Sequence, residues 1–199
     1  APVTRAERTA WLLNELGLEY ELERYKLGDK SMMSPEFIAI SPNGRVPVLQ
    51  DGELRITEST AIAQYLLARY SEGRLVPDID SAAYPAYLQW MHYAEGMIMP
   101  PINNYVVETI LLPPDRASEV HAKRAIKLLN NVLKPLDAHL ADREYLAGEF
   151  SGADTITGHA SMIAAELGAD LSDKPNLAAY IERLKVRPAL QKVLALRAE

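Results

Sequence analysis

Residues 46–59 carry the local signals that most restrict how this chain can fold. Two apolar runs, residues 46–49 and 54–56, flank Asp51-Gly52. Asp-Gly is a strong signal for a two-residue turn between antiparallel strands, because that turn needs positive φ at both central residues. We therefore predict a β-hairpin with Asp51-Gly52 at its turn.

Pro47 falls at the start of the first strand of this hairpin. Proline has no N–H to donate to a sheet, so it belongs at a strand start or on a sheet edge. In that position it leaves the backbone groups of Val46 available to a ligand. We predict a cis Val46-Pro47 bond, because a kink there would turn this backbone outward.

A helix is predicted directly after the hairpin, over residues 58–70, because its apolar side chains recur at helical spacing. Glu58 and Ser59 fall at its start. The free N–H groups and the positive end of the helix dipole attract a carboxylate there, and a glutamate can hold an ammonium group. The pair therefore suits one end of an amino acid, with ordinary helix capping as the alternative.

Together these features resemble the glutathione transferase superfamily, and residues 41–49, Ser-Pro-Asn-Gly-Arg-Val-Pro-Val-Leu, are similar to its loop into the Val-Pro strand. The resemblance implies a thioredoxin-like domain in which this strand binds the cysteinyl part of glutathione. The Glu-Ser pair would bind the γ-glutamyl end. By resemblance the glutathione-binding residues are Arg45, Val46, Pro47, Glu58 and Ser59. Arg45 would meet the glycyl carboxylate, and a solvated loop residue is its alternative role.

The segment before the hairpin also has recognisable signals. Thr4 and Glu7 have the spacing of a capping box, and Gly17 is a helix terminator. Residues 20–25 alternate loosely and predict a strand, and residues 34–39 predict a short helix with proline in its first turn. The family has one more strand ahead of the first helix. Too few residues precede Thr4 to form it, so we expect an amino-terminal segment to be missing from this sequence. The alternative is a protein that lacks the central strand of its first sheet, which would cost many buried contacts.

After about residue 80 the apolar spacing is helical throughout. The predicted helices are 82–111, 115–142, 153–168, 174–186 and 188–197. Pro100-Pro101 should kink or break the first of these, and Ser151 and Asp154 form a structural capping box. The predicted fold is an α/β thioredoxin-like domain over residues 1–73, with its first strand missing, and an all-α helical bundle over residues 81–199.

Composition limits the partners of such a chain. It has 27 acidic and 21 basic residues, so no overall positive field favours nucleic acid or a membrane. Without cysteine it has no disulfide framework and no cysteine nucleophile, which disfavours the cysteine-dependent members of the family. The four histidines lack metal-ligand spacing, so no metal is expected. With no signal peptide and no long apolar run, we expect a cytoplasmic protein.

A transferase of this kind must activate the thiol of glutathione. The pKa of a free thiol is about 8.5, so only a few per cent is thiolate at neutral pH. A hydroxyl that donates to sulfur lowers that pKa. Thr4 is our catalytic candidate, with Arg5 adding positive potential. The spacing usual in serine-type members, counted back from Gly17, falls on Val3 instead of Thr4, although some bacterial and fungal relatives have a Ser-Arg pair where Thr4-Arg5 stands. Two alternatives remain: Thr4 only caps its helix, or a tyrosine in the missing segment is catalytic.

The resemblance implies that the segment 90–99 lies where the family binds its electrophile. Tyr93 and Met97 in this segment and Asn103 after it are the candidate residues, with plain core packing as the alternative. The resulting expectation is a homodimeric detoxification enzyme that conjugates glutathione, as co-substrate, to a small hydrophobic electrophile. Peroxidase, ether-cleaving and dehalogenating activities use the same thiolate. A non-catalytic glutathione-binding or protein-interaction role on the same fold is the rival.

Overall fold

The computed structural model describes residues 3–26 and 30–198. Its helices and strands are α1 (Ala6–Leu16), α2 (Pro35–Ile40), β1 (Val48–Asp51), β2 (Leu54–Thr57), α3 (Ser59–Tyr70), α4 (Tyr84–Tyr93), α5 (Met99–Val106), α6 (Glu119–His139), α7 (His159–Glu166), α8 (Pro175–Lys185) and α9 (Pro188–Ala195). Short 3-10 helices cover Lys30–Met33, Leu140–Asp142 and Leu196–Ala198, and π-helical turns cover Ala94–Ile98, Val107–Leu111 and Asp154–Gly158.

The chain divides into two compact units, which are described separately below. The first combines residues 1–76 with residues 185–199, and the second contains residues 77–184. The first unit holds the hairpin and helices α1 to α3, and the second is helical, which confirms the predicted fold class. The domain boundaries drawn from the sequence, 1–73 and 81–199, stay a prediction.

In the first unit, α1 forms the centre of the core. Trp11 and Leu12 are completely buried, and α1 packs against both α3 and α9. The helix ends as predicted at Gly17, which adopts φ 72°. The N–H groups of Gly17 and Leu18 donate to the carbonyls of Asn14 and Leu13, which satisfies the helix end. The predicted helix at residue 34 is also present, with Ser34 accepting from the N–H of Phe37 at 3.2 Å.

The predicted hairpin is confirmed, but its turn is shifted by one residue. The register pairs Val48 with Thr57 and Asp51 with Leu54, so the two turn residues are Gly52 and Glu53. Only Gly52, with φ 59°, has positive φ in the turn. Positive φ at the first central position alone is the pattern of a type II′ turn, in which glycine takes that place.

The strand predicted at residues 20–25 is wrong. The described residues contain one sheet, the two-stranded β1-β2 hairpin, and the segment 20–25 joins no ladder. A strand is defined by hydrogen bonds to a neighbour, so alternation alone cannot produce one. Residues 18–23 and β1 instead line a common groove of about 900 Å³.

In the second unit, the predicted helical regions are confirmed, with shorter bounds. Its core contains Trp90, Leu129 and Leu133, from α4 and α6. Pro100-Pro101 do not break the helical path. The α-helix gives way to a π-helical turn at Ala94–Ile98, and α5 then begins with the prolines in its first turn, where a missing N–H costs little.

The predicted capping box at Ser151 and Asp154 is present and buried. Asp154 Oδ2 accepts from the Ser151 backbone N–H at 2.8 Å and from its hydroxyl at 3.1 Å. Its Oδ1 accepts from the N–H of Leu146 at 3.0 Å and from the Tyr180 hydroxyl at 2.8 Å. One carboxylate therefore connects a helix start with the chain before it and with α8.

Candidate functional site

The candidate site lies in the first unit, at the end of the hairpin opposite its turn. Because Val48 pairs with Thr57, residues 46–47 and residues 58–59 leave the hairpin at the same end. The Val46-Pro47 bond is cis, as predicted. Val46 is half-buried and precedes the first ladder pair, so the hairpin does not use its backbone groups.

The loop into Val46 is held by Ser41, which is buried. Its hydroxyl donates to the Arg45 carbonyl at 2.7 Å and accepts from the Arg45 N–H at 3.1 Å. The loop turns at Gly44, which has φ 61° and whose N–H donates to the Ser41 carbonyl. The backbone next to Val46 is thus fixed, whereas the Arg45 side chain is exposed to solvent.

Glu58 and Ser59 start α3 as predicted, with contrasting environments. Glu58 adopts φ 69°, and its carbonyl accepts from the N–H of Ile62. Its side chain is exposed, whereas Ser59 is buried at the first position of a 12-residue helix. A solvent-facing carboxylate therefore stands beside a hydroxyl at the positive end of a helix, which is where an anionic group is stabilised.

Sequence reasoning missed Arg8. It is completely buried in α1, and its Nη1 donates to the Ser59 hydroxyl oxygen at 3.4 Å. This contact links α1 to the start of α3 and brings a positive charge to the proposed carboxylate position. A signal existed: Arg8 shares a helix face with Trp11 and Leu12, at spacings of three and four, and a charged residue on an apolar face needs a reason to be there.

Two side chains of the predicted capping box bond to backbone groups in the turn before α1. The Thr4 hydroxyl accepts from the N–H of Ala6 at 3.3 Å. The Glu7 carboxylate accepts from the N–H of Val3 at 2.8 Å. The reciprocal pairing of a capping box between Thr4 and Glu7 stays a prediction. Arg5, half-buried, directly precedes the first helical residue.

Within the second unit, the predicted electrophile residues have unequal surroundings. The Tyr93 hydroxyl donates to the Val132 carbonyl at 2.7 Å, and its ring packs against Trp90. Met97 lies exposed in the π-helical turn, and Asn103 is exposed on α5.

The groove of the first unit is distinct from most of the candidate site. Val46 and Pro47 line it, together with apolar residues of α1, but Glu58 and Ser59 do not. The polar chemistry therefore lies beside this groove rather than inside it. In the described part of the chain, no three His, Asp or Glu side chains are grouped as metal ligands. No helix among the same residues has the length and apolar character needed to cross a membrane.

Family models match both halves of the chain. The model described as glutathione S-transferase, N-terminal domain, matches residues 2–68, and the model of the C-terminal domain matches residues 98–188. Among curated proteins, glutathione S-transferase 3 of Zea mays is 34% identical, over 94% of this chain and 87% of the relative. Glutathione S-transferase GstB of Escherichia coli is 30% identical, over 96% and 93%.

Solved structures show the same similarity in three dimensions. The glutathione transferase URE2P6 from Phanerochaete chrysosporium, in complex with oxidized glutathione, is 28% identical with a TM-score of 0.87, over 98% of this chain and 91% of that one. A theta class glutathione S-transferase from Xanthomonas axonopodis, with glutathione bound, is 29% identical with a TM-score of 0.81, over 94% and 90%.

Proposed function

Since the chain belongs to the glutathione S-transferase family, we propose that it binds glutathione, stabilises its thiolate and conjugates it to a small hydrophobic electrophile. The observation that carries the proposal is the pair at the start of α3. There a buried Ser59 and an exposed Glu58 stand at the hairpin end that also holds Val46-Pro47. This arrangement can bind both charges of one amino-acid end.

In the proposed complex, the γ-glutamyl carboxylate accepts from the Ser59 hydroxyl and from the first N–H groups of α3, and its ammonium group pairs with Glu58. The Val46 backbone pairs with the cysteinyl part, in the manner of an added strand. Arg45 meets the glycyl carboxylate. Its exposed side chain lies on a loop whose backbone is fixed by Ser41.

For catalysis, the Thr4 hydroxyl donates to the sulfur, and Arg5 with the start of α1 adds positive potential. The capping bond from Ala6 uses a lone pair of the Thr4 oxygen, whereas donation to sulfur uses the hydroxyl hydrogen, so the two roles are compatible. The thiolate then forms a carbon–sulfur bond with the electrophile. In substitution the leaving group departs with the electron pair of its bond to carbon, and in addition the product takes up a proton.

Tyr93, Met97 and Asn103 are the proposed contacts of the electrophile. We further propose a cytoplasmic homodimer that acts in detoxification. The relatives and neighbours support the chemistry: they are named as glutathione transferases, and the two structures described above contain oxidized glutathione or glutathione.

The test is an ultraviolet titration of glutathione thiolate against pH in the presence of the protein, with binding measured by calorimetry. We expect a bound-thiol pKa about one to two units below the free value, and Thr4→Val should remove most of that shift while affinity changes little. Thr4→Ser keeps a hydroxyl and should retain the shift. An unchanged thiol pKa in Thr4→Val would remove Thr4 from catalysis.

The second candidate function is glutathione binding without turnover. It applies if the Thr4 hydroxyl, which accepts from the Ala6 N–H, donates its hydrogen to a group other than the sulfur. Calorimetric binding with no change in the thiol pKa of the wild-type protein would support this function over the transferase.

A further inference from the structure

Glu7 joins residues from opposite ends of the described chain. Its Oε1 accepts from the Val3 N–H at 2.8 Å and from Nε of Arg197 at 2.7 Å. Its Oε2 accepts from Nη2 of Arg197, also at 2.7 Å. The Glu7 side chain is only 6% exposed. A carboxylate this buried loses most of its hydration, and the guanidinium fork replaces it with two parallel charge-assisted bonds.

The contact from Glu7 to Val3 acts on the backbone that leads into Thr4. Val3 adopts φ 55°, in the left-handed region that a β-branched residue rarely occupies. The hydrogen bond from its N–H to Glu7 opposes relaxation to an ordinary conformation. Val3 is the first residue of the Thr4 turn, which we define as residues 3–5. The direction of the Thr4 side chain therefore depends on the backbone conformation of Val3.

We propose that Arg197 is a positioning residue for the Thr4 turn. Its guanidinium orients the Glu7 carboxylate, and that carboxylate holds the backbone from which the Thr4 hydroxyl is directed at sulfur. The inference rests on the proposed function, because it requires Thr4 to act on glutathione. Since the fork geometry carries the effect, a lysine at position 197 would keep the charge without the two parallel bonds.

The chain contains a matched control for this arrangement. Arg187 pairs with Glu15 through Nε at 2.7 Å and through Nη2 at 2.8 Å. The exposures are also similar, 25% and 10% for Arg187 and Glu15 against 23% and 6% for Arg197 and Glu7. Both pairs fasten the carboxyl-terminal segment to α1. Glu15, however, lies in the last turn of α1, at the far end from the Thr4 turn.

The experiment compares Arg197→Gln with Arg187→Gln in the full chain. The readouts are the thiol pKa of bound glutathione and kcat and KM with an aryl halide. We expect Arg197→Gln to raise the thiol pKa by about half to one unit and to lower kcat about three- to tenfold, with the KM for glutathione within about twofold. Arg187→Gln should leave all three within about twofold of wild type, although both variants lose stability. Arg197→Lys should fall between Arg197→Gln and wild type.

Equal effects of the two glutamine variants on the thiol pKa and kcat, or no effect of either, would overturn the proposal. A separate readout covers failure of the proposed function itself, which would show as no thiol pKa shift in wild type. In that case, exchange of the Val3 amide hydrogen, followed by NMR, decides whether Arg197 holds the turn. About tenfold faster exchange in Arg197→Gln than in Arg187→Gln supports the positioning role, and equal exchange contradicts it.

Discussion

At the residue scale, Ser59 combines features that a surface serine lacks. It is buried, it starts α3, and its oxygen accepts from the buried guanidinium of Arg8. A carboxylate bound there would receive a hydroxyl bond at the positive end of a helix, with a cation behind it. In the proposed complex, this hydroxyl should therefore contribute more to binding than one on an open surface.

Ser59→Ala should weaken glutathione binding roughly 10- to 100-fold, because a hydrogen bond to a charged group contributes about 1.5–3 kcal/mol. Calorimetry measures the change. Thr60→Val is the matched control: it alters the next side chain of the same turn, and the Thr60 hydroxyl is buried without a hydrogen-bond partner among the described groups. The control should change affinity less than about twofold. Equal losses in both variants would indicate damage to the start of α3 instead.

Gly44→Ala should destabilise the loop before Val46 by about 1–2 kcal/mol or more, because φ 61° disfavours any side chain. The new Cβ would also lie 3.1 Å from the Met32 carbonyl oxygen and from Met33 Sδ. Gly17→Ala is the control, since it has φ 72° but open space around its Cβ. Urea unfolding should show a larger loss for Gly44→Ala, and only this variant should weaken glutathione binding.

The sequence predicted individual site residues where the signal was local. Glu58 and Ser59 were proposed because a helix start follows a hairpin, and Val46-Pro47 because proline restricts a strand. The structure has α3 starting at Ser59 and a cis Val46-Pro47 bond, and the ligand roles of these residues stay predictions. Arg8, Ser41 and Glu7 acquire their roles through contacts that periodicity does not report. Arg8 meets a residue 51 positions away, and Glu7 meets one 190 positions away.

At the element scale, the π-helical turn Asp154–Gly158 continues directly into α7. The start of this helical segment is organised around Asp154, which is completely buried. Burial raises the pKa of this carboxyl to about 6, and the donated bonds from Leu146, Tyr180 and Ser151 oppose that rise without cancelling it. The pKa of Tyr180 is raised well above its ordinary value by burial and by the nearby Asp154, so its hydroxyl remains a donor.

The raised pKa predicts how stability depends on pH. Between about pH 4 and pH 6 the folded state keeps a proton on Asp154 that the unfolded state releases, so the free energy of unfolding should fall as pH rises through that window. The total change is about 3 kcal/mol, from a shift of about two units. Denaturant unfolding of wild type and Asp154→Asn, from pH 4 to 7, measures it. The difference between the two proteins should shrink as pH rises, and a constant difference would contradict the prediction.

Helix ends were predicted well, because side chains and glycines close to each end determine them. Strands and their turn were predicted less well, because they depend on pairing with another strand. Gly17 and Ser34 mark helix ends because each satisfies backbone groups within its own helix. The hairpin turn was placed one residue early, since Asp51 and Gly52 both favour turns and the strand register decides between them. The strand at residues 20–25 was wrong because a strand needs a neighbour, which no local pattern provides.

At the scale of the whole molecule, the first unit is assembled from two distant parts of the chain. Residues 185–199 belong with residues 1–76, and α9 buries Leu190 and Val193 while it packs on α1. Two arginine forks, at Arg187 and Arg197, add to this apolar contact. The last segment is therefore part of the core that supports the candidate site.

Ending the chain at Lys185 should destabilise the first unit by several kcal/mol, because two buried aliphatic side chains contribute about 1.5–3 kcal/mol each and the forks add to them. Hydrogen exchange measures the two units separately. Amides of α1 should lose protection, whereas those of α7 in the second unit should keep most of theirs. Equal loss in both helices would contradict the prediction.

The distance in sequence between Glu7 and Arg197 also has a consequence during synthesis. A ribosome adds about 5–20 residues per second, so the 190 positions between them correspond to roughly 10–40 s. During that time α1 has emerged while the helix that covers it has not yet been translated. The nascent chain must therefore keep the apolar face of α1 from aggregating, alone or with a chaperone, until α9 and Arg197 have been translated.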